Sequence, residues 1–501
     1  MGSSVSTPVA PYELADWTVP ATPLDTLHQK ALAARRLSPA RPCSDEVFHR
    51  RVFIDLLGTL PTPDEVNAFA QDYRPDKRAK LVDTLLTRRE FTDYLTMRWG
   101  DVLRIKAEFP INLWPNAVQS YYRWVHDQVE ANRPWDQVVT ELLTANGSNF
   151  RAAPANFYRA IQTRDPSGIA EAVALTWMGT RLDKWTAAQR ADLANFFSRL
   201  IFKKTEEWKE EIVCLDPTVL APLDVTYPDG KKERIAAGAD PRRAFAAWLT
   251  TPGNRYFARA LANRVWSWLF GRGIVHEADD IRADNPPALP EVLSYLEAEL
   301  TRAKFDLRAL IKLIVLSRCY QQSSIAAAPG ADSEKYFAAY PVRRLDAEVL
   351  CDALLAITGQ TDSYSSQVPE PFTWLPENQR AVNLGDGSIT SSFLEMFGRP
   401  PRDTGLESER NLAPTDAQRL YMLNSGELQR RLDQSPQVRN LALAARGNRT
   451  TMARGLYTLI LSRQPTTAEL AAAGRFAGVP FQVAFDLAWA LLNTKEFLYR
   501  H

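Results

Sequence analysis

Asn263–Pro287 reads NRVWSWLFGRGIVHEADDIRADNPP and carries several signals in one short span. Val265, Trp266, Trp268, Leu269 and Phe270 recur at helical spacing, and Gly271-Arg272-Gly273 stops the run. A polar loop follows, holding Arg272, Asp279, Asp280, Arg282, Asp284 and Asn285, before Pro286-Pro287 ends it. This predicts an apolar helix, with Arg264 on it, that hands its C-terminal end to a charged loop. Three carboxylates and an amide could bind a hard cation such as calcium. The same residues also suit Arg–Asp pairs that pin the loop onto neighbouring helices. The spacing is not that of an EF-hand and the arginines compete for the carboxylates. The expectation is a clasp between helical layers, with no metal.

Outward from this span the pattern stays helical. Val47, Val52, Phe53, Leu56 and Leu57, then Leu81, Leu85 and Leu86, then Trp99, Val102 and Leu103 follow helical spacing. Thr62-Pro63-Asp64-Glu65 supplies an N-cap, a first-turn proline and acids. Between 205 and 239 the pattern changes to short strands around Pro228-Asp229-Gly230. The predicted fold is therefore mainly α: two helical domains with a small β-hairpin insert between them. The predicted boundaries are an N-terminal arm at 1–43, helical domains at 44–204 and 240–501, and the insert at 205–239. Residues 359–390, rich in Ser, Gln and Pro, read as a surface loop.

A degenerate helical repeat is also expected. FIDLLGTLPTPDEVNAF with LVDTLLTRREF resembles LYTLILSRQPTTAELAAA with LAWALLNTKEF, and a weaker copy runs from Trp266 to Tyr320.

Composition bounds the function. A net charge of +1 gives no global field toward nucleic acid. No apolar run reaches the roughly 18 residues of a membrane span, so no membrane span is expected. Residues 1–25 show no signal-peptide pattern, and Met1-Gly-Ser-Ser would suit an engineered start. Cys43, Cys214, Cys319 and Cys351 lack paired or metal-type spacing, and Cys319 and Cys351 read as buried thiols. His28, His49, His126, His276 and His501 are scattered.

Two further polar clusters stand out. Arg343 and Arg344 precede a helix whose first turn carries Asp346 and Glu348. Arg399, Arg402 and Asp403 are followed by Glu407, Glu409 and Arg410. The three clusters either converge on one pocket or form separate ion-paired loops. There is no Gly-x-Ser-x-Gly elbow and no His-Glu-x-x-His. Trp114, Tyr121, Tyr122 and Trp124 recur at helical spacing and read as core.

These stretches resemble the planctomycete cytochrome-associated domain pair, the domains of unknown function one-five-four-nine and one-five-five-three. The first is carried by RRVFIDLLGTLPTPDEV, by Arg98-Trp99 with Asp101, by PANFYRA from Pro154 and by DKWTAAQRADLANFF from Asp183. The second is carried by the run from Asp240 to Val275, then DDIRADNPP, YPVRRLDAEVL, FGRPPRD and WALLNTKEFLYRH. The resemblance implies a Cys-x-x-Cys-His element before Trp185, a Cys-x-Cys near Gly405–Ser408 and a His beside Pro290. Here Met178–Leu182 runs straight into Asp183, Ser and Leu stand near the second position, and Leu289 fills the third. No haem, and no other cofactor, is expected.

The resemblance implies a periplasmic or cell-envelope setting, with a cytoplasmic one left open. The first functional expectation is an envelope scaffold or binding protein that has lost its redox group, its partner an envelope protein or polysaccharide. The alternative is a hydrolase on envelope or extracellular polysaccharide, with Asp279, Asp280 or Glu409 as acid or base and Arg272 or Arg399 on an anion. A third is a docking partner of a separate cytochrome.

Overall fold

The computed structural model describes residues 9–501; the Met1–Ser4 opening lies outside them. Helices make up 51% of the chain and strands 6%, so the fold is mainly α. Among the described residues no helix is long and apolar enough to cross a membrane.

Local chemistry sets the helix ends. Thr62 and Glu65 form a reciprocal capping box on the Pro63–Ala70 helix, as Thr466 and Glu469 do on the Thr467–Ala473 helix. The helix before each ends on a left-handed residue, Gly58 in one case and Ser462 in the other. The Phe257–Phe270 helix is buried on nearly every face and ends on Gly271 at φ 75°. A Cβ at Gly271 would stand 2.5 Å from Cδ of Arg343. Glycine is required there by the backbone and by the arginine that crosses it.

One apolar core draws on residues from Leu24 to Tyr340 and includes Val213, Val225, Tyr227 and Ile235 of the β-rich stretch. A second runs from Leu345 to Phe497 and takes in Ile54, Leu60, Tyr94 and Met97. The apolar packing thus divides near residue 341, while 205–239 contributes to the first core.

The strands begin earlier than expected. Leu200–Lys204 and Glu211–Leu215 pair antiparallel, with Gly147–Ser148 added to the free edge of the latter. Leu223–Thr226 and Lys232–Ile235 form the separate hairpin. Apolar residues continue from Leu193 through Phe202 without a change of composition. The switch from helix to strand therefore depends on the partner strand at Glu211. At the C-terminus, Tyr499–Arg500 pairs with Arg343–Arg344 and carries Arg500 into the interior.

All four cysteines are free; Cys319 and Cys351 are buried as expected. Residues 359–390 are largely irregular, with one short 3-10 turn at Ala381–Asn383.

Candidate functional site

The second and third polar clusters meet in the interior, and the first touches them only at its edge. Asp346 Oδ2 accepts hydrogen bonds from Arg98 at 2.7 Å, from the Tyr94 hydroxyl at 2.8 Å, and from Arg500. Arg410 reaches Glu348 at 2.7 Å and Asp101 at 2.7 Å. Arg402 Nε donates to Asp101 at 2.9 Å. Arg399 lies 3.5 Å from Glu348 and also bonds the carbonyls of Ile389 and Asp386. Asp55 closes the far end, taking Arg343 at 3.0 Å, Arg500 at 2.7 Å and the hydroxyls of Tyr320 and Tyr340.

Electrostatics follow from this packing. Burial alone would raise Asp346, but Arg500, Arg98 and Arg410 hold its carboxyl far below the usual carboxylate range. Burial lowers Arg399 to about 10. Arg344 makes no ion pair among the described residues and spends its donors on the carbonyls of Leu345, Phe397 and Asn411.

The Asn263–Pro287 run joins this network at its edge. Asn263 bonds Val275 through both its amide oxygen and nitrogen and also reaches the Ala278 carbonyl. Gly273 leaves room for that amide, since a Cβ would stand 2.9 Å from Asn263 Nδ2. Arg264 donates to the Thr176 carbonyl at 2.7 Å. Asp279 takes Arg181 at 2.7 Å on one oxygen and the Glu407 amide at 2.9 Å on the other. Arg282 stands 3.1 Å from Asp280 and 3.4 Å from Asp284, while Asn285 ties the carbonyls of His276 and Asp280. Arg343 caps the helix by donating to the carbonyls of Leu269 and Trp268. Arg272 stays outside the network, and its buried Nε has no hydrogen-bond partner among the described residues.

These residues leave little space for a ligand. The void bounded by Arg98, Asp101, Trp268, Glu407 and Arg410 is about 10 Å³, room for one water molecule. Glu409, read in sequence as an acid or base, instead clamps its own loop by accepting from Asp403 and Thr404. Arg98, Asp101, Asp55, Arg500, Tyr94 and Arg181 were absent from the candidate set. For Asp55, Arg98 and Asp101 the signal was a charge inside an apolar helical run, as with Asp55 between Ile54 and Leu56; Tyr94, Arg181 and Arg500 carry no such signal.

An open cleft of about 520 Å³ lies elsewhere, between the Arg89–Val102 and Pro115–Glu130 helices and the 373–389 loop. His126 Nε2 and Asp93 Oδ1 are 3.1 Å apart across the two helices, and Asn383 donates to the other Asp93 oxygen at 3.0 Å. The hydrogen bond to Asp93 raises His126 above its ordinary range, outweighing partial burial. Arg89 and Arg123 also line this cleft and are exposed. Neither makes an ion pair among the described residues, whereas the interior arginines are bonded to carboxylates or carbonyls. Tyr122 and Trp374 supply aromatic surface, Trp374 being 63% exposed. Tyr121 is buried in the core as expected, but its neighbour Tyr122 faces the cleft.

On the outer face, His126, Asp127 and Glu130 bring ligand atoms within 4.8 Å of one another. His126 already spends Nε2 on Asp93, and the two carboxylates are exposed.

Comparison with known families matches two stretches of the chain. Residues 23–198 match PSCyt2, a protein of unknown function (DUF1549). Residues 241–477 match PSD1, a protein of unknown function (DUF1553). No curated protein and no solved structure matches.

Proposed function

We propose that this chain, which belongs to the family joining PSCyt2 to PSD1, is a binding protein: a rigid helical scaffold that holds an acidic carbohydrate in the cleft around His126. The carrying observation is that Arg89 and Arg123 both line the cleft, are exposed, and make no ion pair among the described residues. A planar cation fork is suited to a ligand carboxylate. Tyr122 and Trp374 offer apolar ring faces, and the amides of Gln119 and Gln379 lie beside them. The cell-envelope setting belongs to the same proposal and is supported by the resemblance alone.

The domain arrangement is part of the proposal too. We read the two helical domains as locked together by the buried ion network, and the Asp45–Phe91 and Arg449–Phe497 stretches as two copies of one unit. Their matching capping boxes and left-handed helix ends support this.

A titration with trigalacturonic acid and with neutral maltotriose tests the binding reading. The acidic trimer binds, and Arg89→Ala with Arg123→Ala weakens it at least roughly tenfold, the loss of about one charge-assisted contact. Equal binding of the neutral trimer, or no response to the double variant, contradicts the reading.

One observation favours a second reading, a glycoside hydrolase. Asp386 lines the same cleft as Asp93, and burial pushes its carboxyl up, as a general acid requires. Reducing ends released from the acidic trimer and abolished in Asp386→Asn would select it.

A further inference from the structure

Beyond the mouth of the cleft, the surface carries aromatic rings that the core leaves uncovered. Phe372 is 52% exposed and Trp208 is 70% exposed. Trp114 is half-buried, and its ring centroid lies 5.5 Å from that of Phe372. Lys209 Nζ stands 5.4 Å from the Trp114 ring and 5.3 Å from the Trp208 ring, between the two. Phe372, Trp114, Lys209 and Trp208 therefore form one continuous strip. It joins the cleft at both chain neighbours: Pro115 follows Trp114, Thr373 and Trp374 follow Phe372, and all three line the cleft.

The backbone holds this strip at a cost. Trp114 has φ 73° and Lys209 has φ 62°, conformations that side chains other than glycine rarely adopt. Here that strain puts an indole and an ammonium against each other on the surface. Lys209 makes no ion pair among the described residues, so its charge is available to a ligand.

We propose that the strip is a secondary binding track for a linear acidic polysaccharide whose end or branch occupies the cleft. The inference rests on the cleft reading and adds to it that the ligand is a chain and not a single sugar. Ring faces stack on successive sugar rings, and Lys209 between them meets a carboxylate along the chain. A purely apolar partner would not use the cation.

The experiment compares trigalacturonic and nonagalacturonic acid on the wild-type chain and on Phe372→Ala with Trp208→Ala, both exposed and outside the cleft. The wild type binds the nonamer roughly tenfold or more tighter than the trimer, the worth of about one stacked ring. The double variant loses that increment while its trimer affinity stays unchanged. An increment that survives in the variant overturns the track and leaves the cleft reading standing. Nonamer binding that depends on the two rings, with no trimer binding at all, overturns the cleft reading and leaves the track. Absence of binding by either oligomer overturns both.

Discussion

Asp346 is where residues far apart in sequence depend on one another. It is fully buried, and its carboxylate faces Arg98, Arg410 and Arg500, with the Tyr94 hydroxyl on the same oxygen as Arg98 and Arg500. Leaving buried cations without their counter-charge destabilises more than the intact pair stabilises. Asp346→Ala is expected to lower unfolding free energy by about 3–5 kcal/mol, read from the denaturation midpoint. A loss under about 1 kcal/mol, the worth of a surface pair, would show that the network is dispensable. Arg343, Arg344, Asp346, Arg399, Arg402 and Arg410 were legible as candidates because charge beside apolar helical pattern is unusual. What the sequence could not show was where they point. A charged residue reads alike whether it lines a pocket or fills one, and here Arg98, Asp101 and Arg500 fill the space.

Among the elements, the Arg89–Val102 and Pro115–Glu130 helices matter most, because His126 and Asp93 join them beneath the cleft. His126 is raised by its hydrogen bond to Asp93, with Glu130 and Asp127 adding in the same direction. A histidine whose folded pKa exceeds its unfolded value of about 6.5 stabilises fully below that pH. The contribution disappears as pH rises through the folded value. The stability advantage of wild type over His126→Gln should therefore be largest near pH 6 and shrink toward alkaline pH. Parallel stability curves, or an advantage that grows with pH, would refute the coupling. The helices themselves were readable, since capping at Thr62 and glycine at Gly271 act locally. The Leu200–Lys204 strand was not, since its conformation depends on pairing with Glu211–Leu215. Nor was the cleft. Asp93, His126 and Asn383 come from two helices and a loop, and no local pattern links them.

At the scale of the molecule, the chain combines two apolar cores, a charged layer between them and an open cleft to one side. The layer lies where the family-matched segments meet. Asp101 in the first pairs with Arg402 and Arg410 in the second, and Arg98 pairs with Asp346. Its ion pairs and carbonyl bonds leave space for little more than water. The hydrogen bonds of the Asn263–Pro287 run tie it to its neighbours, and ligand recognition is proposed for the cleft instead. Hydrogen exchange with and without saturating trigalacturonic acid separates these roles. Ligand should slow exchange within residues 115–130 and 373–389 while 263–285 and 343–348 stay unchanged; protection confined to the latter two segments, with the cleft unaffected, would place the site in the network and contradict this division.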